Sequence, residues 1–248
     1  MRILLCALAV AVTGCTTAHP TASPPSAQAP LSRTAAPTPT AAAPALRAAP
    51  SPQAVKIAQP ASYAPTVRTV TAAQLRYSWR PGCPVSPSSL RALTVRYKTF
   101  SGTTATGTLI VHRDVVSKMT AVFAELYRNG FPIRSIRPID AYKGSDDASA
   151  AADNTSAFNC RLAVATGSKS WSQHAYGRAI DVNDVENPYF EGGRVIPPTG
   201  RRYADRSNVR PGMAVRGGVL VTAFAKVGWG WGGRWSSPDY QHFSSNGR

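Results

Sequence analysis

Two short stretches far apart in the chain constrain its fold more than any other feature. They are Ser172-Gln173-His174-Ala175-Tyr176-Gly177-Arg178-Ala179-Ile180-Asp181 and Asp239-Tyr240-Gln241-His242-Phe243. His174, Asp181 and His242 together supply two imidazoles and one carboxylate, a set that suits Zn²⁺ and leaves a fourth position for water. Asp239, just before His242 in sequence, is an acid placed to handle that water's proton. Any fold that uses this set must bring the C-terminal stretch back against the middle of the chain. On a regular strand His174 and Asp181, an odd number of residues apart, would point to opposite faces. The chain therefore has to bend between them, and Gly177 is the residue that permits it. Asp181-Val182-Asn183 reads as a strand-like exit, and His242 is expected on a separate strand.

The N-terminus reads as an export signal. Met1-Arg2 is followed by an apolar run from Ile3 to Val12, too short to span a bilayer as a helix. The run ends in Val12-Thr13-Gly14-Cys15, which resembles a bacterial lipoprotein cleavage box. Residues 1–14 are thus expected to be a lipoprotein signal peptide, with Cys15 acylated and the protein lipid-anchored to the cell membrane, facing the cell wall or periplasm. The alternative is an ordinary secretory signal in which Cys15 is incidental. With Cys6 in the signal and Cys15 lipidated, Cys83 and Cys160 remain. Two cysteines in an exported domain predict one disulfide, with a pair of buried free thiols as the alternative.

Residues 15–65 read as a disordered tether. From Thr16 to Pro60, 34 of 45 residues are Ala, Pro, Ser or Thr, too poor in large apolar side chains to bury a core. Its prolines favour extended structure, and at about 3.1 Å per residue it could reach on the order of 100 Å. The folded domain is placed at 66–248. Arg91 to Tyr97 and Thr106 to His112 read as a hairpin around Ser101-Gly102-Thr103, with His112 a structural residue at its end. Asp114 is expected to N-cap a helix running to about Asn129, with Val115, Met119, Val122, Phe123 and Leu126 on its apolar face and Asn129-Gly130 as the stop. Phe131 to Ile139 reads as a strand, and Val215 to Val227 as a second helix. Short strands around two helices predict an α+β domain with a small antiparallel sheet.

Charge narrows the partners. Lys and Arg number 28 against 12 Asp and Glu, a formal charge of +16, and no acid precedes Asp114. Such an excess favours anionic surroundings. No nucleic-acid recognition motif or basic–aromatic array accompanies it, so nucleic acid is not expected as a partner. An anionic cell envelope fits better, alongside the plainer reading of a solvated basic surface.

The motif Ser-x-His-x-x-x-Gly-x-Ala-x-Asp with a late Asp-x-x-His resembles the zinc D-alanyl-D-alanine carboxypeptidase and L-alanyl-D-glutamate endopeptidase family, which cuts bacterial peptidoglycan stem peptides. The resemblance runs from about Trp79 to Phe243. It implies the Hedgehog/DD-peptidase fold, Zn²⁺ as cofactor, His174, Asp181 and His242 as ligands, Asp239 as the catalytic acid–base, and a monomer acting on stem peptides. Many relatives have Glu at the Asp239 position, and Asp leans towards the endopeptidase branch; a turn-capping role for Asp239 is the alternative. Several relatives also carry Arg after Asp-Ala-Tyr, where this chain has Asp140-Ala141-Tyr142-Lys143. Lys143 and, more strongly, Arg161 are therefore the candidate substrate cations, each against the reading of a surface residue. Ser172 is a third candidate substrate contact. Trp229-Gly230-Trp231-Gly232-Gly233-Arg234-Trp235 is expected to divide its indoles between core and cleft wall. A non-catalytic, zinc-stabilised wall-binding module remains as the alternative to an enzyme.

Overall fold

The structure is a computed structural model that describes residues 63–164 and 169–248. The expected signal peptide, Cys15 and nearly all of the tether lie outside the described residues. In chain order the regular elements are β1 (Thr66–Thr69), β2 (Leu90–Lys98), β3 (Thr104–His112), α1 (Val116–Arg128), α2 (Asp146–Ala151), β4 (Ala179–Asp181), β5 (Tyr189–Glu191), β6 (Arg194–Ile196), α3 (Val219–Lys226), β7 (Gly230–Trp231) and β8 (His242–Ser244). The fold is α+β: one antiparallel sheet has the order β1-β2-β3, a second has the order β4-β8-β7, and β5 pairs with β6.

The β2–β3 hairpin forms because alternating positions bury side chains on both of its faces. Leu93, Val95, Leu109 and Val111 join the main core with Met119, Val122, Phe123 and Leu126 of α1. Those helix positions fall on one stripe of a 3.6-residue repeat. On the other face Leu90 and Ile110 pack with Phe158 and Cys160. The main core continues into the second sheet, where Phe224 of α3 stacks on Phe243 of β8 with ring centroids 4.1 Å apart. At about 25 cal/mol per Å² of apolar area, aromatic burial of this kind is what holds the short β8 in place. Cys83 and Cys160 form the expected disulfide, tying the turn after Trp79 to the segment that enters the site. Among the described residues no helix is long and apolar enough to cross a membrane.

Three local expectations are corrected. Asp114 does not N-cap α1. A 3₁₀ turn over Arg113–Val115 precedes the helix, and the Asp114 carboxylate sits instead between His112 Nδ1 and the Arg178 guanidinium. Residues 131–139 do not form a strand. Pro132 and Pro138 lack N–H donors; the segment meets β2 and β3 through single bonds, Ile133 N to Lys98 O and Thr108 N to Ile136 O, while the N–H groups of Arg134 and Arg137 donate to the side-chain oxygens of Asn183 and Asn154. Finally, α3 begins at Val219 rather than Val215, because Gly217 takes a left-handed φ of 75° and Gly218 is the extended N-cap that follows it. The end of α1 is as expected, with Asn129 as C-cap and Gly130 at φ 66°.

Between β4 and β5 the chain buries Asp184 and Glu186. Burial pushes both carboxyl groups up, Asp184 well above the usual range and Glu186 to about 7, the latter helped by the neighbouring Asp153 carboxyl. A raised folded pKa means stability that is fully present below the unfolded value and is lost as pH rises through the folded one. The metal-free protein is therefore expected to lose on the order of 2 kcal/mol between pH 5 and pH 8 through Glu186 alone. Glu186→Gln should flatten that slope, as read from urea unfolding at the two pH values; an unchanged slope would rule the assignment out.

Candidate metal centre

His174 lies in a 3₁₀ turn, Gln173–Tyr176, whose cap is Ser172: its Oγ accepts a hydrogen bond from the His174 N–H at 3.3 Å. Gly177 ends the turn with φ 65°, and a Cβ there would stand 2.7 Å from the His112 backbone nitrogen. The expected bend is thus made by a turn followed by a left-handed glycine, after which the chain enters β4. Gly177→Ala combines backbone strain with a steric clash and is expected to cost roughly 2 kcal/mol or more and to weaken metal binding. Equilibrium unfolding together with a metal titration checks both.

Asp181 and His242 are placed by strand register. They face each other directly across the antiparallel pair β4–β8, where opposed Cβ atoms lie about 5 Å apart on the same face. A slip of one residue would turn one of them away. Hydrogen bonds from Ser156 N to Asp181 O and from Asp181 N to Ser156 O, 3.0 and 2.9 Å, fix the other edge of β4. The segment containing Ser156 then carries the Ala157 carbonyl to His174 Nδ1.

The three side chains meet. His174 Nε2 lies 3.1 Å from Asp181 Oδ2 and 3.2 Å from His242 Nδ1, and His242 Nδ1 lies 3.1 Å from Asp181 Oδ1. Bonds of about 2.0–2.1 Å in a tetrahedral set imply ligand separations of roughly 3.3 Å, so these donors fit a single small divalent cation. The outer nitrogens support the same conclusion. His174 Nδ1 faces the Ala157 carbonyl, and His242 Nε2 lies 3.2 Å from the Arg248 carbonyl. Each carbonyl can only accept, so each outer nitrogen donates and, in the neutral ring, the inner nitrogen turns a lone pair inward. Two lone pairs and a carboxylate converging in a buried site repel one another unless a cation lies between them. Where no cation is in place, N–H groups turned inward by the rings take its part: burial works against the charged form of Asp181, but charge and hydrogen bonds from His174 and His242 outweigh it and hold the carboxyl well below its usual range.

These groups open into a cleft of about 1050 Å³ whose lining includes His174, His242, Asp239, Ser172, Arg161, Trp235 and Tyr189. Asp239 Oδ1 is shut off from solvent and has no hydrogen-bond partner. Burial, reinforced by Asp181, pushes the Asp239 carboxyl up to about 7 against the opposing pull of His242 and Arg161. A carboxyl in that range can both take and release a proton near neutrality.

Of the cation candidates, Arg161 lines the cleft but is engaged: its Nε pairs with Asp146, and its Nη1 donates to the Leu162 carbonyl at 3.3 Å. Lys143 is exposed at the left-handed end of a 3₁₀ turn and is not among the cleft-lining residues. The Asp140 carboxylate explains that turn: it accepts from Tyr77 N and Ser78 N and so anchors the chain before β2. The indoles divide as expected, Trp229 and Trp231 buried and Trp235 at the cleft. Sequence reasoning missed Ala157 and Arg248, whose part is played by backbone carbonyls that leave no mark on residue type.

No curated protein and no solved structure matches the chain. Residues 166–245 match the family model described as D-alanyl-D-alanine carboxypeptidase, and the matched stretch contains His174, Asp181, His242 and Asp239.

Proposed function

We propose that this protein is a zinc-dependent peptidase that hydrolyses peptide bonds in bacterial peptidoglycan stem peptides, as a D-Ala-D-Ala carboxypeptidase or an L-Ala-D-Glu endopeptidase. The family match over residues 166–245 supports the peptidase class, and the Hedgehog/DD-peptidase topology is part of the same reading. The observation that carries it is the inward convergence of two imidazole nitrogens and a carboxylate beside Asp239, which lines the same cleft with its Oδ1 unpartnered.

His174, Asp181 and His242 would hold the metal. When bound there, Zn²⁺ supplies Lewis acidity that makes water nucleophilic near neutral pH and polarises the scissile carbonyl. Asp239 takes the nucleophile's proton and delivers it to the departing amine. Ser172 keeps the His174 turn in shape, and Trp235 and Tyr189 provide walls against which a peptide can lie. Arg161 tunes Asp239 by favouring its charged form. A purely structural zinc site usually takes four protein ligands; three ligands with an adjacent buried acid favour turnover over a wall-binding module.

The N-terminal signal, a lipid on Cys15 and the Ala/Pro/Thr-rich tether would place the domain outside the membrane, within reach of the wall. The deciding experiment is digestion of purified muropeptides by the zinc-loaded protein, with products identified by mass. Release of a terminal D-Ala marks carboxypeptidase action, and cleavage after L-Ala marks endopeptidase action. If zinc binds but every muropeptide stays intact, the enzyme assignment fails and the binding module replaces it.

A further inference from the structure

Three arginines line the cleft: Arg161, Arg178 and Arg248. Two already have carboxylate partners, Arg161 with Asp146 and Arg178 with Asp114. The Arg248 guanidinium has no ion pair among the described residues, although its backbone is held at the metal centre. The segment that carries it is fastened at successive points. Gly247 N donates to Ser244 O at 3.3 Å, Trp235 Nε1 donates to Gly247 O at 3.1 Å, and Arg248 N donates to Asn246 Oδ1 at 3.0 Å. Gly247 lies so close to Gly230 that a Cβ on the latter would come within 2.4 Å of the Gly247 Cα. Last, the Arg248 carbonyl meets His242 Nε2 at 3.2 Å. A guanidinium with no side-chain ion pair among the described residues is thus carried by a residue whose main-chain oxygen touches His242 and which lines the same cleft.

We infer that Arg248 is the specificity residue that receives a free carboxylate on the substrate residue supplying the leaving amine. The inference rests on the peptidase reading above and deepens it. Both bonds in question carry such a group, either the terminal carboxylate of D-Ala or the α-carboxylate of D-Glu. A guanidinium matches a carboxylate in charge and in two-pronged geometry. The two engaged arginines already share their charge with an acid. Because the His242 contact uses the Arg248 carbonyl, a side-chain substitution leaves the metal's support intact.

The test is equilibrium binding to the zinc-loaded protein carrying Asp239→Asn, so that ligands are not turned over. The probes are N-acetyl-D-Ala-D-Ala and N-acetyl-L-Ala-D-Glu, each with the α-carboxylate free and amidated. At least one acid should bind about ten- to a hundredfold more tightly than its amide, the range expected for one charge-assisted pair. Adding Arg248→Gln should erase the preference, Arg248→Lys should keep part of it, and zinc content should not change. If the acid preference survives Arg248→Gln, or neither acid outbinds its amide, the assignment is overturned. Failure of the peptidase reading shows separately, as intact muropeptides with the wild-type protein.

Discussion

Asp239→Asn is expected to lower peptide hydrolysis by about 10²- to 10⁴-fold, the usual contribution of a positioned acid–base group, while zinc content stays at the wild-type level. The separation follows from geometry. Asp239 is not among the three converging donors, and its Oδ1 is buried without a partner. Asn keeps the shape and removes the titrating proton. Burial and the nearby Asp181 put the wild-type carboxyl at about 7, so Asn resembles the protonated form in size and neutrality, and the loss reports proton transfer rather than collapse of the pocket. Rates on muropeptides and metal analysis of the same sample settle the point. Activity within a few fold of wild type would remove Asp239 from the chemistry and leave it as a turn residue.

His242→Ala should have the larger effect on binding, weakening zinc by at least about a hundredfold, beyond what loss of a supporting contact produces. Zinc bound to the native state alone raises stability by about 4 kcal/mol when present at a thousandfold over its dissociation constant. The wild-type midpoint of thermal unfolding should therefore climb with added zinc, and that of His242→Ala should not. In the metal-free proteins the ordering should narrow or reverse. The wild type opposes two imidazole nitrogens at 3.2 Å beside a carboxylate, whereas the variant removes one member of that crowded set. The stacked Phe243 next to it keeps β8 packed on Phe224 in both. Equal zinc affinity in the two proteins, measured by competition with a chelator, would show that these residues do not form the site.

Much of the site was legible in the chain because residue type carries its chemistry. Two histidines, an aspartate and a second acid are donor types that the fold does bring together or place nearby, and a glycine between His174 and Asp181 announces the bend, since few other residues take φ 65° without strain. The hairpin and α1 were legible for a related reason: periodic burial writes a period of 2 or 3.6 into the apolar positions. Residues 131–139 misled because their buried side chains mimic a strand while their backbone makes single bonds to β2 and β3, at Ile133 and Ile136, and turns the N–H groups of Arg134 and Arg137 to the side chains of Asn183 and Asn154.

Only tertiary structure set the register that opposes Asp181 to His242, because pairing between strands so distant in sequence depends on the packing of Phe224, Phe243 and Trp231. It alone chose the carbonyls of Ala157 and Arg248 as partners of the two imidazoles, since every residue has a carbonyl and sequence cannot rank them. The same holds for the arginines. Composition shows an excess of positive charge, but which guanidinium is tied to an acid and which stands free is decided by where the fold puts Asp114 and Asp146.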